Sequence, residues 1–241
     1  MKSRRLSEVH QIEVTTICNL RCRYCPHPKM QRPKVHMEWA TFERAIEFAK
    51  PFAAAGTQKE LSLTGIGEST LHPRFVDMLE LARATFPELP IGFSTNGLPS
   101  FTEEIAKACG RLKINVYVSL HRPEVAAKAI ELARKYNCFA LANPGAAVSA
   151  MNWAGQVDWH VSAPRTICAY LALGWGVVLV DGSVTTCCLD AEKAGVIGTI
   201  WDDPLSLEVK PYKLCDTCHE SVPTEAEMLL HPREVFVPWG T

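Results

Sequence analysis

Cys18, Cys22 and Cys25 stand three and then two residues apart, directly behind a β-branched run at 12–17. β-Branched residues favour extended backbone, so the three thiols are expected on a loop leaving the C-terminal end of a strand. That placement narrows the choice of scaffold, because parallel barrels gather their catalytic groups at this end of the strands. Thiolates are the usual protein ligands of iron–sulfur clusters, and a four-iron cluster held by three of them keeps one iron open to an outside molecule. Zinc knuckles and redox sensors use similar intervals, so the spacing alone leaves those alternatives standing.

The first 142 residues carry a matching rhythm. Short apolar runs predict strands at 10–15, 61–64, 91–94, 114–120 and 139–142, alternating with amphipathic segments. This is the pattern of an α/β fold built on a parallel sheet. Phe42, Ala45, Ile46 and Ala49 fall at helical spacing, with Pro51 expected to close that helix, and Phe75, Met78, Leu79 and Ala82 repeat the spacing before Pro87. Ser100, with Glu103 three residues on, is the expected capping box of a third helix. A fourth helix is predicted over 124–136. Beyond Asn143-Pro144-Gly145 the rhythm stops, and a connector through Trp153, Trp159 and Pro164 places a domain boundary near residue 160, dividing the chain into 1–160 and 161–241.

With Tyr24 ahead of Cys25, the cysteine loop reads Cys-x3-Cys-x-aromatic-Cys and resembles the signature of the radical S-adenosylmethionine (SAM) enzymes. The resemblance implies a partial (β/α) barrel and a [4Fe-4S] cluster on Cys18, Cys22 and Cys25 whose open iron chelates the amino and carboxylate groups of SAM. It also implies reductive cleavage of SAM to methionine and a 5′-deoxyadenosyl radical that takes a hydrogen atom from substrate. After the second strand, Thr64-Gly65-Ile66-Gly67-Glu68-Ser69 is similar to the family's Gly-Gly-Glu-Pro motif and departs from it at Ile66 and Ser69. By that likeness Gly65, Gly67 and Glu68 belong at the SAM ammonium, glycine permitting close backbone approach. Ser94-Thr95-Asn96-Gly97, after the third strand, resembles the segment that approaches the SAM ribose, although an ordinary Asn-Gly turn reads the same way. Ser119, His121 and Arg122 follow the fourth strand towards the same mouth. Arg122 is a candidate for the SAM carboxylate and His121 for a substrate proton; a loop His-Arg-Pro serves as readily as a surface or capping element.

A second cysteine set, Cys168, Cys187, Cys188, Cys215 and Cys218, lies in the C-terminal third. The run 174–187 reads as a β-hairpin turning at Asp181-Gly182, which returns Cys187 towards Cys168. Cys215-Asp216-Thr217-Cys218 then supplies a knuckle that completes four thiolates and a closed site. This arrangement resembles the twitch domain, the short form of the SPASM domain, a small hairpin-and-helix module that holds an auxiliary [4Fe-4S] cluster. The family's Asp-Gly-x-Val-x-x-Cys matches Asp181 to Cys187, which selects Cys187 over the adjacent Cys188. A four-cysteine zinc ribbon offers the same donors. Cys109 and Cys138 sit in or beside helical segments and are expected as buried small hydrophobes.

Ten cysteines would mean disulfides in a small secreted chain. No apolar run here is long enough for a signal peptide core or a membrane span, so metal or redox use in the cytoplasm is the expectation. A formal charge of −1 gives no electrostatic reason to expect DNA, RNA or an acidic membrane as partner. Four protein ligands leave the second cluster no open iron, which favours electron transfer. The chain therefore reads as an oxidoreductase acting on a small-molecule substrate, similar to the short twitch dehydrogenases of amino sugars or aminocyclitols. Its electron source is expected to be a low-potential donor of the flavodoxin or ferredoxin type. The competing readings are an isomerase or aminomutase that returns the hydrogen, a peptide-modifying enzyme, and a non-enzymatic iron–sulfur or zinc electron carrier or sensor. Only a few residues precede the first strand, too few for the peptide-recognition domain many peptide-modifying relatives carry. Asp158, His160 and Asp190 are conceivable substrate bases, and exposed loop polarity explains each equally well.

Overall fold

The computed structural model describes residues 3–120, 122–143, 152–158 and 167–224. After a two-residue strand, β1 (Arg4–Arg5), five parallel strands follow: β2 (Glu8–Ile12), β3 (Leu61–Ser62), β4 (Ile91–Thr95), β5 (Asn115–Ser119) and β6 (Phe139–Asn143). They lie side by side in chain order, joined by the helices α1 (Trp39–Ala54), α2 (Phe75–Thr85), α3 (Glu103–Leu112) and α4 (Pro123–Lys135). The amphipathic faces read from the sequence are the faces that pack: Phe42, Ala45, Ile46 and Ala49 of α1 and Phe75, Met78, Leu79 and Ala82 of α2 are buried against the sheet.

The C-terminal part joins the same sheet. A short helix, α5 (Ala169–Leu173), leads into β7 (Trp175–Val178), which lies parallel to β2 on the side away from β3. β8 (Ser183–Thr185) and β9 (Val196–Thr199) then extend the sheet antiparallel, and β10 (Glu208–Val209) pairs back with β1. The hairpin turns where expected: Gly182 has φ +82°, its amide donates to the Leu179 carbonyl, and Asp181 Oδ1 accepts from the Ser183 amide. Two-sided pairing makes β2 an interior strand, and its end carries the cysteine loop into the middle of the sheet's C-terminal edge. The boundary expected near residue 160 falls outside the described residues. Among the described residues no helix is long and apolar enough to cross a membrane.

Three local expectations change. The first strand ends at Ile12, not 15, because residues 14–16 exchange sheet partners for the returning loop: the Met37 amide donates to the Val14 carbonyl and the Thr16 amide to the Val35 carbonyl. Pro51 lies inside α1. It removes one backbone donor, but burial of Phe52 and the bond from the Ala55 amide to the Pro51 carbonyl carry the helix on to Ala54. The third helix is capped by Thr102, whose hydroxyl accepts from the Ile105 amide; Ser100 is engaged one turn earlier, donating to the Gly97 carbonyl.

Candidate active site

The cysteine loop is tied down before and after its thiols. The Thr16 hydroxyl donates to the Pro33 carbonyl and accepts from the Val35 amide, each at 2.8 Å, and His27 Nε2 meets the Thr16 carbonyl at 2.8 Å. The Glu68 amide donates to the Ile17 carbonyl, joining this loop to the turn after β3. Gly67 makes that join possible. A Cβ there would lie 2.4 Å from the Thr15 carbonyl oxygen and 2.7 Å from that of Ile17, both backbone atoms.

Cys18, Cys22, Tyr24 and Cys25 line one cavity of ≈ 350 Å³ together with Gly65, Gly67, Glu68, Ser94, Thr95, Asn96 and Ser119. The candidates read from four separate strand ends thus face a common space. Burial pushes the Cys18 thiol up, against the Leu20 amide that donates to its sulfur, and it pushes Cys25 up to about 11 against the amide of His27. Burial and the neighbouring Cys22 also raise the Tyr24 phenol. Buried thiols with amide donors on their sulfurs suit a cationic centre, which displaces the proton that burial retains. The three cysteines fit the cluster that the signature implies.

Glu68 is 3% exposed and is held from four directions. Oε1 accepts from the hydroxyls of Thr70 (2.6 Å) and Thr95 (2.8 Å) and from the Thr70 amide, while Oε2 accepts from the Asn96 amide at 2.7 Å. Burial raises its carboxyl and these donors pull it back. The side chain therefore braces the turn after β3 against the end of β4. Asn96 continues the chain of contacts, its Nδ2 donating to Asn19 Oδ1 at 2.7 Å within the cysteine loop.

Arg122 is placed otherwise than expected. Its Nη2 donates to the carbonyls of Asn96 and Leu98 and to Asn96 Oδ1, and the residue lines neither cavity of the site. With Nη2 engaged by the carbonyls of a turn, the guanidinium positions that turn and stands outside the cavity lining. His121 and His160 lie outside the described residues. Asp158 is exposed and is not a cavity residue, whereas Asp190 lines the cavity but accepts from Thr185 Oγ1 and the amides of Ala194 and Gly195.

Sequence reasoning passed over the most strongly built feature of this wall. Arg32 donates to Glu13 through both Nη atoms, at 2.8 and 2.9 Å, and through Nε to the Ala191 carbonyl at 2.6 Å. Glu13 also accepts from the Ile66 amide at 3.2 Å and the Val180 amide at 3.4 Å. Both side chains are buried, at 2% and 8% exposure, and both line the cavity. One ion pair thus ties β2, the cysteine loop, the glycine turn and the C-terminal part together. Its sequence signal was the alternation of polar Gln11 and Glu13 along an apolar strand, which marks a face turned to the barrel interior.

A second cavity, of ≈ 130 Å³, is lined by Cys168, Cys187, Cys188, Cys215 and Cys218. The Leu189 amide donates to Cys187 Sγ and the Glu220 amide to Cys218 Sγ, the same two-residue turn that Leu20 makes on Cys18. Burial raises Cys168, Cys215 and Cys218, the last to about 11. Cys188 and Leu189 line both cavities and form the wall between them. Among the described residues no three His, Cys, Asp or Glu side chains are gathered as they would be around a single metal ion. Cys109 and Cys138 are buried, with the Cys138 thiol donating to the Ala106 carbonyl.

Parallel strands that deliver three cysteines, a glycine turn and a braced glutamate to one cavity define a cofactor-dependent barrel of the half-open kind. Residues 12–137, just over half of the chain, match the radical SAM superfamily, and the chain belongs to that family, whose members use a [4Fe-4S] cluster and SAM. It is 34% identical over 111 residues to the tungsten-containing aldehyde ferredoxin oxidoreductase cofactor-modifying protein of Pyrococcus furiosus, covering 45% of this chain and 29% of that protein. It is 33% identical over 120 residues to the GTP 3′,8-cyclase of Paenarthrobacter nicotinovorans, covering 46% and 32% respectively. The chain thus spans about a third of the length of these curated relatives. In fold it is similar to BtrN in complex with AdoMet and 2-DOIA, with a TM-score of 0.66 at 21% identity over 85% of this chain and 82% of that one.

Proposed function

We propose that this chain is a radical SAM oxidoreductase of a small molecule, with a partial barrel at 1–160 and a twitch-like auxiliary module at 161–241. Cys18, Cys22 and Cys25 hold the SAM-binding cluster, and Cys168, Cys187, Cys215 and Cys218 hold a second one. When bound, these groups supply hydrogen-atom abstraction from the substrate by the adenosyl radical and an acceptor for the electron left after a proton departs, so that an alcohol becomes a carbonyl. The observation that carries the reading is the shared wall: a molecule in the larger cavity is separated from the second cysteine set by Cys188 and Leu189 alone among the residues common to both. The hydrogen bond from the Leu189 amide to Cys187 Sγ favours Cys187 as the ligand, with Cys188 in the wall common to both cavities.

The chain's own residues prepare this chemistry. Glu68, Thr95 and Asn96 hold the SAM-side loops in register, and Gly67 lets the glycine turn lie directly on the cysteine loop. Gln11, Glu13, Arg32, Val177 and Leu179 line the side of the cavity left for substrate. The likeness in fold to BtrN, solved with AdoMet and 2-DOIA, makes aminocyclitols and amino sugars the first substrates to screen. A flavodoxin- or ferredoxin-type protein is the proposed donor of the first electron.

The test is anaerobic reconstitution followed by assay with dithionite and SAM. Wild-type protein should carry about eight irons and form 5′-deoxyadenosine, whereas Cys22→Ala should keep about four irons and form none. Zinc in place of iron after anaerobic isolation would overturn the reading.

A further inference from the structure

Among the residues lining the cavity with Cys168, Cys187, Cys215 and Cys218, two carry buried polar atoms with no hydrogen-bond partner: the Tyr212 hydroxyl and His219 Nδ1. A buried donor left unmet is costly, and such atoms point to a group that completes them. Tyr212 is the better placed of the two. Its ring lies directly on Gly195, where a Cβ would come within 2.5 Å of the ring carbon that bears the hydroxyl. The Gly195 amide is anchored on Asp190 Oδ2 at 2.7 Å, and the Tyr212 carbonyl accepts from the Cys215 amide at 2.8 Å. The phenol is therefore held at the cavity by the turn that delivers Cys215 and by the loop that follows Cys187. Tyr212 and Cys187 line the same cavity, and after burial Cys187 is the group that raises the phenol most.

We propose that Tyr212 tunes the auxiliary centre: its hydroxyl donates a hydrogen bond to the Cys187 sulfur, or to an inorganic sulfur beside it, and raises the reduction potential of the cluster held there. The proposal rests on the auxiliary-cluster reading above. One-electron reduction makes such a cluster more negative, and a donor aimed at its sulfur stabilises that form more than the oxidised one. Low local polarity strengthens the effect, and no protein acceptor competes for this proton. The direction matches the task. A higher potential adds driving force to electron flow from the substrate radical to this centre.

The test isolates the second centre in full-length Cys18→Ala/Cys22→Ala/Cys25→Ala protein and follows its midpoint potential by an EPR-monitored redox titration. Tyr212→Phe in this background should keep the iron content and shift the midpoint to a more negative value. Gly195→Ala, which retains the phenol but pushes it off the cavity, should shift the midpoint in the same direction and serves if Tyr212→Phe fails to fold. An unchanged or more positive midpoint in a variant that keeps its iron would overturn the proposal and leave the auxiliary-cluster reading intact. Absence of any iron–sulfur signal from the triple-cysteine variant with Tyr212 present would instead remove the reading on which the proposal rests.

Discussion

Replacing Arg32 with methionine should cost far more than a surface charge does. The change deletes both bonds to Glu13 and the Nε bond to the Ala191 carbonyl, and it leaves the Glu13 carboxylate 2% exposed with only the longer contacts from the Ile66 and Val180 amides. Removing one partner of a buried pair costs about 3–5 kcal/mol because the other charge stays behind uncompensated. With a urea dependence of about 2–3 kcal/mol per molar for a chain of this size, the unfolding midpoint should fall by about 1–2.5 M. The six tryptophans make fluorescence a suitable probe. A second substitution distinguishes charge from lost packing: Glu13→Gln added to Arg32→Met removes the stranded charge while keeping a carbonyl for the Ile66 amide, and should recover about 1–3 kcal/mol. Arg32→Lys should fall between wild type and Arg32→Met, since a lysine keeps the charge but not the two-pronged geometry. An Arg32→Met midpoint within about 0.3 M of wild type, or a double variant no more stable than the single one, would refute the claim that this pair holds the two halves of the cavity together.

Two further outcomes follow from the same geometry. His72 is buried as a neutral ring, Nε2 donating to the Met37 carbonyl and Nδ1 accepting from the Arg74 amide, and burial lowers its pKa. Its stabilising effect is therefore complete above the unfolded value of about 6.5 and fades as pH falls through that value towards the folded one. Urea midpoints of wild type and His72→Gln should converge on going from pH about 7.5 to about 5, and a gap that widens on acidification would contradict the assignment. Gly67→Ala should displace the cysteine loop, because its Cβ would meet two backbone oxygens that cannot rotate away. It should cost about 1–3 kcal/mol and weaken SAM binding to the reconstituted protein, measured by the change that SAM produces in the reduced cluster's EPR spectrum.

The cysteine loop, the strand–helix alternation and the Asp181-Gly182 hairpin were legible because each depends on neighbours a few residues apart. Strand propensity, helical spacing and a turn that needs a positive φ all act within one element. Where legibility failed, a distant contact had overruled a local rule. Pro51 reads as a stop, yet α1 continues because Phe52 has a buried place to go. Ser100 reads as a cap, yet the Gly97 carbonyl engages it first. Arg122 reads either as a ligand for an anion or as a capping element, and the distant carbonyls of Asn96 and Leu98 together with its place before α4 decide for the second.

The amino-acid order by itself determined which chemical groups the chain carries and on which strand ends: three thiols after β2, a glycine turn with Glu68 after β3, Ser94 to Asn96 at the end of β4, and a further thiol set beyond the hairpin. Only the tertiary structure decided that β7 would lie beside β2, and so bring Ala191 onto Arg32 and make Cys188 and Leu189 one wall of two cavities. Those contacts join residues up to 167 positions apart, as in the pairing of Glu8 with Trp175. Their existence depends on burial and on the pairing of a whole sheet, which no window of sequence contains.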